Sequence, residues 1–77
     1  MWLFTRDGFV SIVAHRTQRA ALLVRSRAPG VIEHFWPQAV VEELPERKRD
    51  YRFRATLPRG DVATVMGDQI RSAHYPD

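Results

Sequence analysis

The chain has no cysteine, a single lysine and no uninterrupted apolar run longer than the five residues 20–24. Without cysteine there is no disulfide framework, thiolate zinc site, iron–sulfur cluster or thiol nucleophile. A five-residue apolar run is far short of the roughly 20 residues that span a bilayer as a helix. The opening residues also lack a basic segment followed by a long apolar stretch and a small-residue cleavage site, so the chain reads as cytoplasmic, with no membrane partner. No glycine-rich phosphate loop, nucleophile elbow or H-E-x-x-H motif occurs. The adjacent acids Glu42 and Glu43 would point to opposite faces of a strand and could not act on one bond. These exclusions leave a non-enzyme with no catalytic residues, no cofactor and no evident small-molecule substrate. The three histidines, His15, His34 and His74, share no ligand-like spacing, so no metal site is expected either.

What remains is a 77-residue chain, 44% hydrophobic and 27% charged, the balance of one small globular domain over residues 1–77. Lys and Arg number 12 against 9 Asp and Glu, a formal charge of +3. A partner selected by charge would therefore be acidic. Eleven of the 12 basic residues are arginine, the side chain suited to bidentate phosphate or carboxylate contacts. Codon usage in a GC-rich genome gives the same excess without any ligand.

Asp7-Gly8 lies between two apolar stretches and marks a hairpin turn. Residues 9–16 are rich in β-branched and aromatic side chains and read as a strand; residues 21–27 read as its antiparallel return. Pro29 suits the first position of a short helix over residues 31–36, which Pro37 would end. Residues 40–44 form a short strand candidate, followed by a charged loop at 45–50. Tyr51, Phe53, Ala55 and Leu57 then alternate with Arg52, Arg54 and Thr56, giving a strand with one apolar and one basic face. Val62, Val65, Met66, Ile70 and Ala73 recur at helical spacing over residues 59–72. Arg59-Gly60-Asp61, a tripeptide associated with cell adhesion, falls at that helix's start and reads there as a turn with an N-terminal acid. The expected fold is α+β: a two-layer sandwich with a four-stranded antiparallel sheet and two helices on one face, in the order ββαββα. That is a permuted ferredoxin-like arrangement, to which residues 2–4 would add a short leading strand.

The opening Met1-Trp2-Leu3-Phe4-Thr5-Arg6-Asp7-Gly8-Phe9 resembles the start of a set of small bacterial proteins that begin M-W-L-F-T-x-x-G-F. The resemblance extends through Val24-Arg25-Ser26-Arg27, Asp50-Tyr51-Arg52-Phe53-Arg54-Ala55 and the closing helical segment that runs into Tyr75. It implies no activity, since none is assigned to that family. Its members commonly continue past the tyrosine with a segment containing N-F-K, where this sequence has Pro76-Asp77.

The candidate binding residues are Arg47, Lys48, Arg49, Arg52 and Arg54, joined by Arg25 and Arg27 if the neighbouring strand is in register. Such a patch suits a phosphate backbone or an acidic protein surface. Glu42, Glu43 and Glu46 would partly neutralise it, and a charged sheet face also serves solubility alone. Alternation places Tyr51 and Phe53 on the face opposite Arg52 and Arg54, which argues against bases stacking beside those arginines. Trp36, expected to be half covered, and Trp2 are the candidate interface anchors. The leading expectation is an interaction module acting through its surface on an acidic protein or a second copy of itself, a size and charge that fit a small regulator or inhibitor. The alternative is a weak, sequence-nonspecific nucleic-acid binder.

Overall fold

The structure, a computed structural model, describes residues 1–45 and 50–73. The strands are β1 (Trp2–Thr5), β2 (Gly8–Ala14), β3 (Ala21–Ser26), β4 (Glu42–Glu43) and β5 (Phe53–Pro58); the helices are α1 (Val31–Phe35) and α2 (Arg59–Arg71). All five strands form one antiparallel sheet in the order β1-β2-β3-β5-β4. The α+β class and the antiparallel sheet are as expected, but the count is not. The leading residues are a fifth strand, and of the two helices only α2 is long. α1 is held to five residues between Gly30 and Pro37.

The β1–β2 hairpin closes over Arg6 and Asp7, with Thr5 Oγ1 accepting the Asp7 N–H at 3.0 Å. Gly8 follows at φ 141°, where a side chain is strained, and a Cβ there would meet Val31 Cγ1 at 2.7 Å. Glycine is thus required both by the backbone and by the approach of α1. The β2–β3 turn is held by His15, whose Nδ1 accepts the N–H groups of Thr17 and Gln18.

One sheet face carries Val10, Ile12, Val24, Phe53, Ala55 and Leu57, and it packs against Ile32, Phe35, Trp36 and Val62 from the helical side. Leu3 and Leu22 extend the same face. Trp36 is the main correction to the expected interface. It is wholly buried, not half covered, and its Nε1 donates to the Asp61 carbonyl at 3.1 Å. The cause is local: a residue before proline avoids the helical region. Trp36 leaves α1 at φ −132°, ψ 83° and lies over the core instead of continuing round the helix.

Pro29 also differs from expectation, lying outside α1, whose N-cap is Gly30 at φ 83°. In α2 the expected apolar stripe is buried at Val62, partly buried at Val65 and Met66, and exposed at Ile70 (72%). Only the first half of α2 therefore covers the sheet. The Arg59-Gly60-Asp61 tripeptide forms its first turn, with Arg59 Nε donating to the Arg19 carbonyl.

Because Trp36 both fills the core and bonds α2, Trp36→Phe should cost about 1–3 kcal/mol in urea denaturation, from lost volume and the lost indole hydrogen bond. A variant as stable as the parent would show that this contact does not hold the helices to the sheet.

Candidate functional site: the open sheet face

Both helices lie on one side, so the other sheet face meets solvent. Strand register assigns its side chains. Trp2 is opposite Ser11, Ser11 opposite Arg25, Arg25 opposite Arg54, and Arg54 opposite Glu42, all in one row across the sheet. The next row begins with Phe4 opposite Phe9. Since Val10, Ile12 and Ala55 face the core, these alternate residues face outward.

The aromatics and arginines interleave. Phe4 stacks on Phe9 with centroids 4.5 Å apart, and Phe9 is 6.1 Å from Tyr51. The Arg25 guanidinium lies 4.6 Å over the Tyr51 ring. Arg27 lies 5.3 Å from Tyr51 and 5.7 Å from Phe9. Each such cation–π contact contributes about 0.5–1 kcal/mol when exposed and fixes the guanidinium plane. A groove of about 490 Å³ at this end of the sheet is lined by Trp2, Phe4, Phe9, Arg27, Val31 and Tyr51.

Tyr51 overturns the expected separation of aromatics from arginines. Alternation holds only inside the strand, and β5 begins at Phe53. Two residues earlier the pleat no longer dictates direction, and Tyr51 lies against Arg25 and Arg27. Phe53 does face the core, as expected.

The expected basic residues divide into three groups. Arg25, Arg27 and Arg54 have no carboxylate partner among the described residues. Arg52 is committed elsewhere: Nη2 is 2.6 Å from Glu43 Oε2, and its guanidinium lies 5.4 Å over Phe53. Arg47, Lys48 and Arg49 lie outside the described residues. Trp2 is 65% exposed on the open face. Sequence reasoning missed Phe4, Phe9 and Ser11 as members of this surface. The period-two spacing of Trp2 and Phe4 was a signal, but their face follows only from the β1–β2 register.

The row contains an electrostatic conflict. Arg25 and Arg54 are direct cross-strand neighbours of like charge, an arrangement that costs about 0.2–1 kcal/mol. Arg25 Nη2 donates to Ser11 Oγ at 2.9 Å, while the Nε atoms of Arg25, Arg52 and Arg54 alike are buried at the stem end of their guanidinium groups. An anion on this row would offset the repulsion between the two cross-strand arginines.

The two described histidines do not converge, and His74 lies outside the described residues. His15 holds a turn, and His34 Nε2 lies 3.4 Å from Asp7 Oδ2 on the surface. Among the described residues no group of three metal-ligating side chains forms, and no helix is long and apolar enough to cross a membrane. No protein-family model, curated protein or solved structure matches the chain.

If Arg25 and Arg54 oppose one another for a ligand's sake, Arg54→Met should leave thermal stability within about 0.5 kcal/mol of the parent or raise it. A loss above about 2 kcal/mol would mean that Arg54 is structural.

Proposed function

We propose that this protein is a non-enzymatic binding module working through the open face of its sheet, and that its ligand is single-stranded nucleic acid contacted without sequence preference. The observation carrying this reading is the Arg25–Arg54 pair, opposed in register with no carboxylate partner among the described residues, beside the exposed Trp2 and Phe4. A phosphodiester suits the outer guanidinium nitrogens of both arginines, which take anionic oxygens bidentately. Its neighbouring bases supply flat faces for Trp2, Phe4 and the Tyr51 end of the groove. Base–aromatic stacking is worth about 1–3 kcal/mol per base and tolerates any base. Reading adenine would need amide side chains on its base edge. Asparagine is absent from the chain, and Gln18, Gln38 and Gln69 lie outside the strands.

The finer topology supports the same reading. β2-β3-β5-β4 with α1 and α2 on one side follows a ferredoxin-like sandwich with one strand moved to the front, a layout that leaves a whole sheet face free. A cytoplasmic setting, where single-stranded RNA is plentiful, is part of the proposal. An acidic protein surface is the second reading, favoured by the exposure of Trp2 (65%) and Phe4 (70%), since half-open aromatics also anchor protein interfaces. In that setting the module would act as a small regulator or inhibitor.

Trp2 is the natural reporter, because Trp36 is buried. A short oligothymidylate should quench its fluorescence, with log K falling against log salt by about 0.7 for each phosphate held. Arg25→Met with Arg54→Met should reduce that slope by about 1.4, two phosphate contacts' worth. Absence of binding at about 50 mM salt, where weak backbone contacts are still strong, would refute the nucleic-acid reading. Saturable binding of polyglutamate without binding of the oligonucleotide would favour the second.

A further inference from the structure

β1 is an edge strand, and its hydrogen-bonding pattern shows which groups it leaves unused. Met1 and Ile12 exchange both backbone bonds, Ile12 N–H to Met1 O at 2.7 Å and the Met1 ammonium to Ile12 O at 2.8 Å. In an antiparallel ladder bonded and non-bonded pairs alternate. Leu3–Val10 and Thr5–Gly8 are therefore bonded pairs, while Trp2–Ser11 and Phe4–Phe9 are not. The N–H and C=O groups of Trp2 and Phe4 point outward, and among the described residues no strand pairs with them.

Natural sheets normally guard such an edge with charge, proline or a bulge. β1 has none of these over Trp-Leu-Phe-Thr. The opposite edge, β4, is guarded: it is two residues long, and both are glutamate. The unguarded edge is also complementary to itself. Placed antiparallel with Leu3 on a two-fold axis, Trp2 of one copy faces Phe4 of the other, and Phe4 faces Trp2. Both pairs are then of the bonded type, giving four main-chain hydrogen bonds. Sliding the register by two residues loses both Trp2–Phe4 pairings: one direction sets Trp2 against Trp2, and the other sets Phe4 against Phe4 and draws Arg6 out of its turn.

We infer that β1 pairs with β1 of a second copy in this register, joining the two sheets into one. The axis is perpendicular to the sheet, so both open faces lie on the same side. The Trp2 and Phe4 rings of the two copies form a continuous aromatic strip there. No charged side chain lies on the paired segments, and the flanking Arg6-Asp7 turns carry one charge of each sign, so the Met1 ammonium, itself held by the Ile12 carbonyl, is the one net charge each copy brings to the seam. The four exposed rings offer on the order of 600 Å² even if wholly covered, and a stable interface buries about 1,200 Å² or more. The pair is accordingly a weak, concentration-dependent dimer. It stands whether or not the open face takes nucleic acid.

Sedimentation equilibrium of the protein without nucleic acid tests this, over about 5 to 500 µM to span a weak interface. The parent should pass from monomer to dimer. Phe4→Pro removes an outward N–H and leaves the β1–β2 bonds intact, so it should stay monomeric throughout. Phe4→Ala keeps that N–H and should weaken the dimer about tenfold, the share of one interface aromatic. In this cysteine-free chain Leu3→Cys places a thiol on the axis, where non-bonded antiparallel pairs suit a disulfide, and oxidation should yield a covalent dimer. Val40→Cys, at a position more exposed to collision than Leu3, should not. A parent that is monomeric at the highest concentration overturns the proposal. A dimer untouched by Phe4→Pro and not captured by Leu3→Cys overturns it as well, and leaves open-face binding standing.

Discussion

The rest of the structure depends on the burial of Trp36 between the helices and the sheet. A small α+β chain has few large side chains with which to hold two layers together, and this one places a tryptophan where α1 gives way to Pro37. The ring fills the core, and its N–H reaches the Asp61 carbonyl in the first turn of α2. That contact ties the end of the short helix to the start of the long one across 25 residues of sequence. With both helices drawn to one side, the opposite sheet face is left to solvent. The open face proposed for binding is in this sense a consequence of where the core was built.

On that face the local preferences disagree. Cross-strand pairing would favour opposite charges, yet Arg25 faces Arg54, and Glu42, opposite Arg54 on the next strand, forms no ion pair with it among the described residues. The stacking of Arg25 and Arg27 on Tyr51 and Phe9 offsets part of the cost and holds the guanidinium planes in place. Arg52 shows the conventional alternative, since it finds Glu43 and is neutralised. Two arginines two residues apart on one chain segment thus differ: Arg52 is paired with Glu43 on β4, and Arg54 has no carboxylate partner among the described residues. Departures from local consistency of this kind are where function is expected to sit.

Much of the fold was legible because strands announce themselves by alternation. Residues 51–57 and the two apolar segments around Asp7-Gly8 led directly to β5 and to the β1–β2 hairpin. The helix over residues 59–72 was legible too, although its apolar spacing overstated its burial. Ile70 keeps the period but extends past the part of α2 that covers the sheet. Trp36 was not legible, because its burial comes from the backbone turning before a proline and not from helical spacing. Tyr51 was misassigned for a related reason: period-two reasoning was carried two residues beyond the point where the pleat begins. The aromatic half of the open face became visible only with the register that sets Trp2 and Phe4 beside Ser11 and Phe9. The arginine half could be read from sequence, but not which arginines were already paired.

The central claim is that the open face, and within it the Arg25–Arg54 pair, is the working surface. The most direct test is the ¹⁵N-resolved spectrum of the arginine Nε–H groups and the tryptophan indoles as a short single-stranded oligonucleotide is added. The account predicts that the Arg25 and Arg54 Nε–H and Trp2 indole signals shift together and saturate at one ligand concentration, while the Trp36 indole and Arg71 remain in place. Shifts confined to α2, or an oligonucleotide that moves none of these signals, would contradict it.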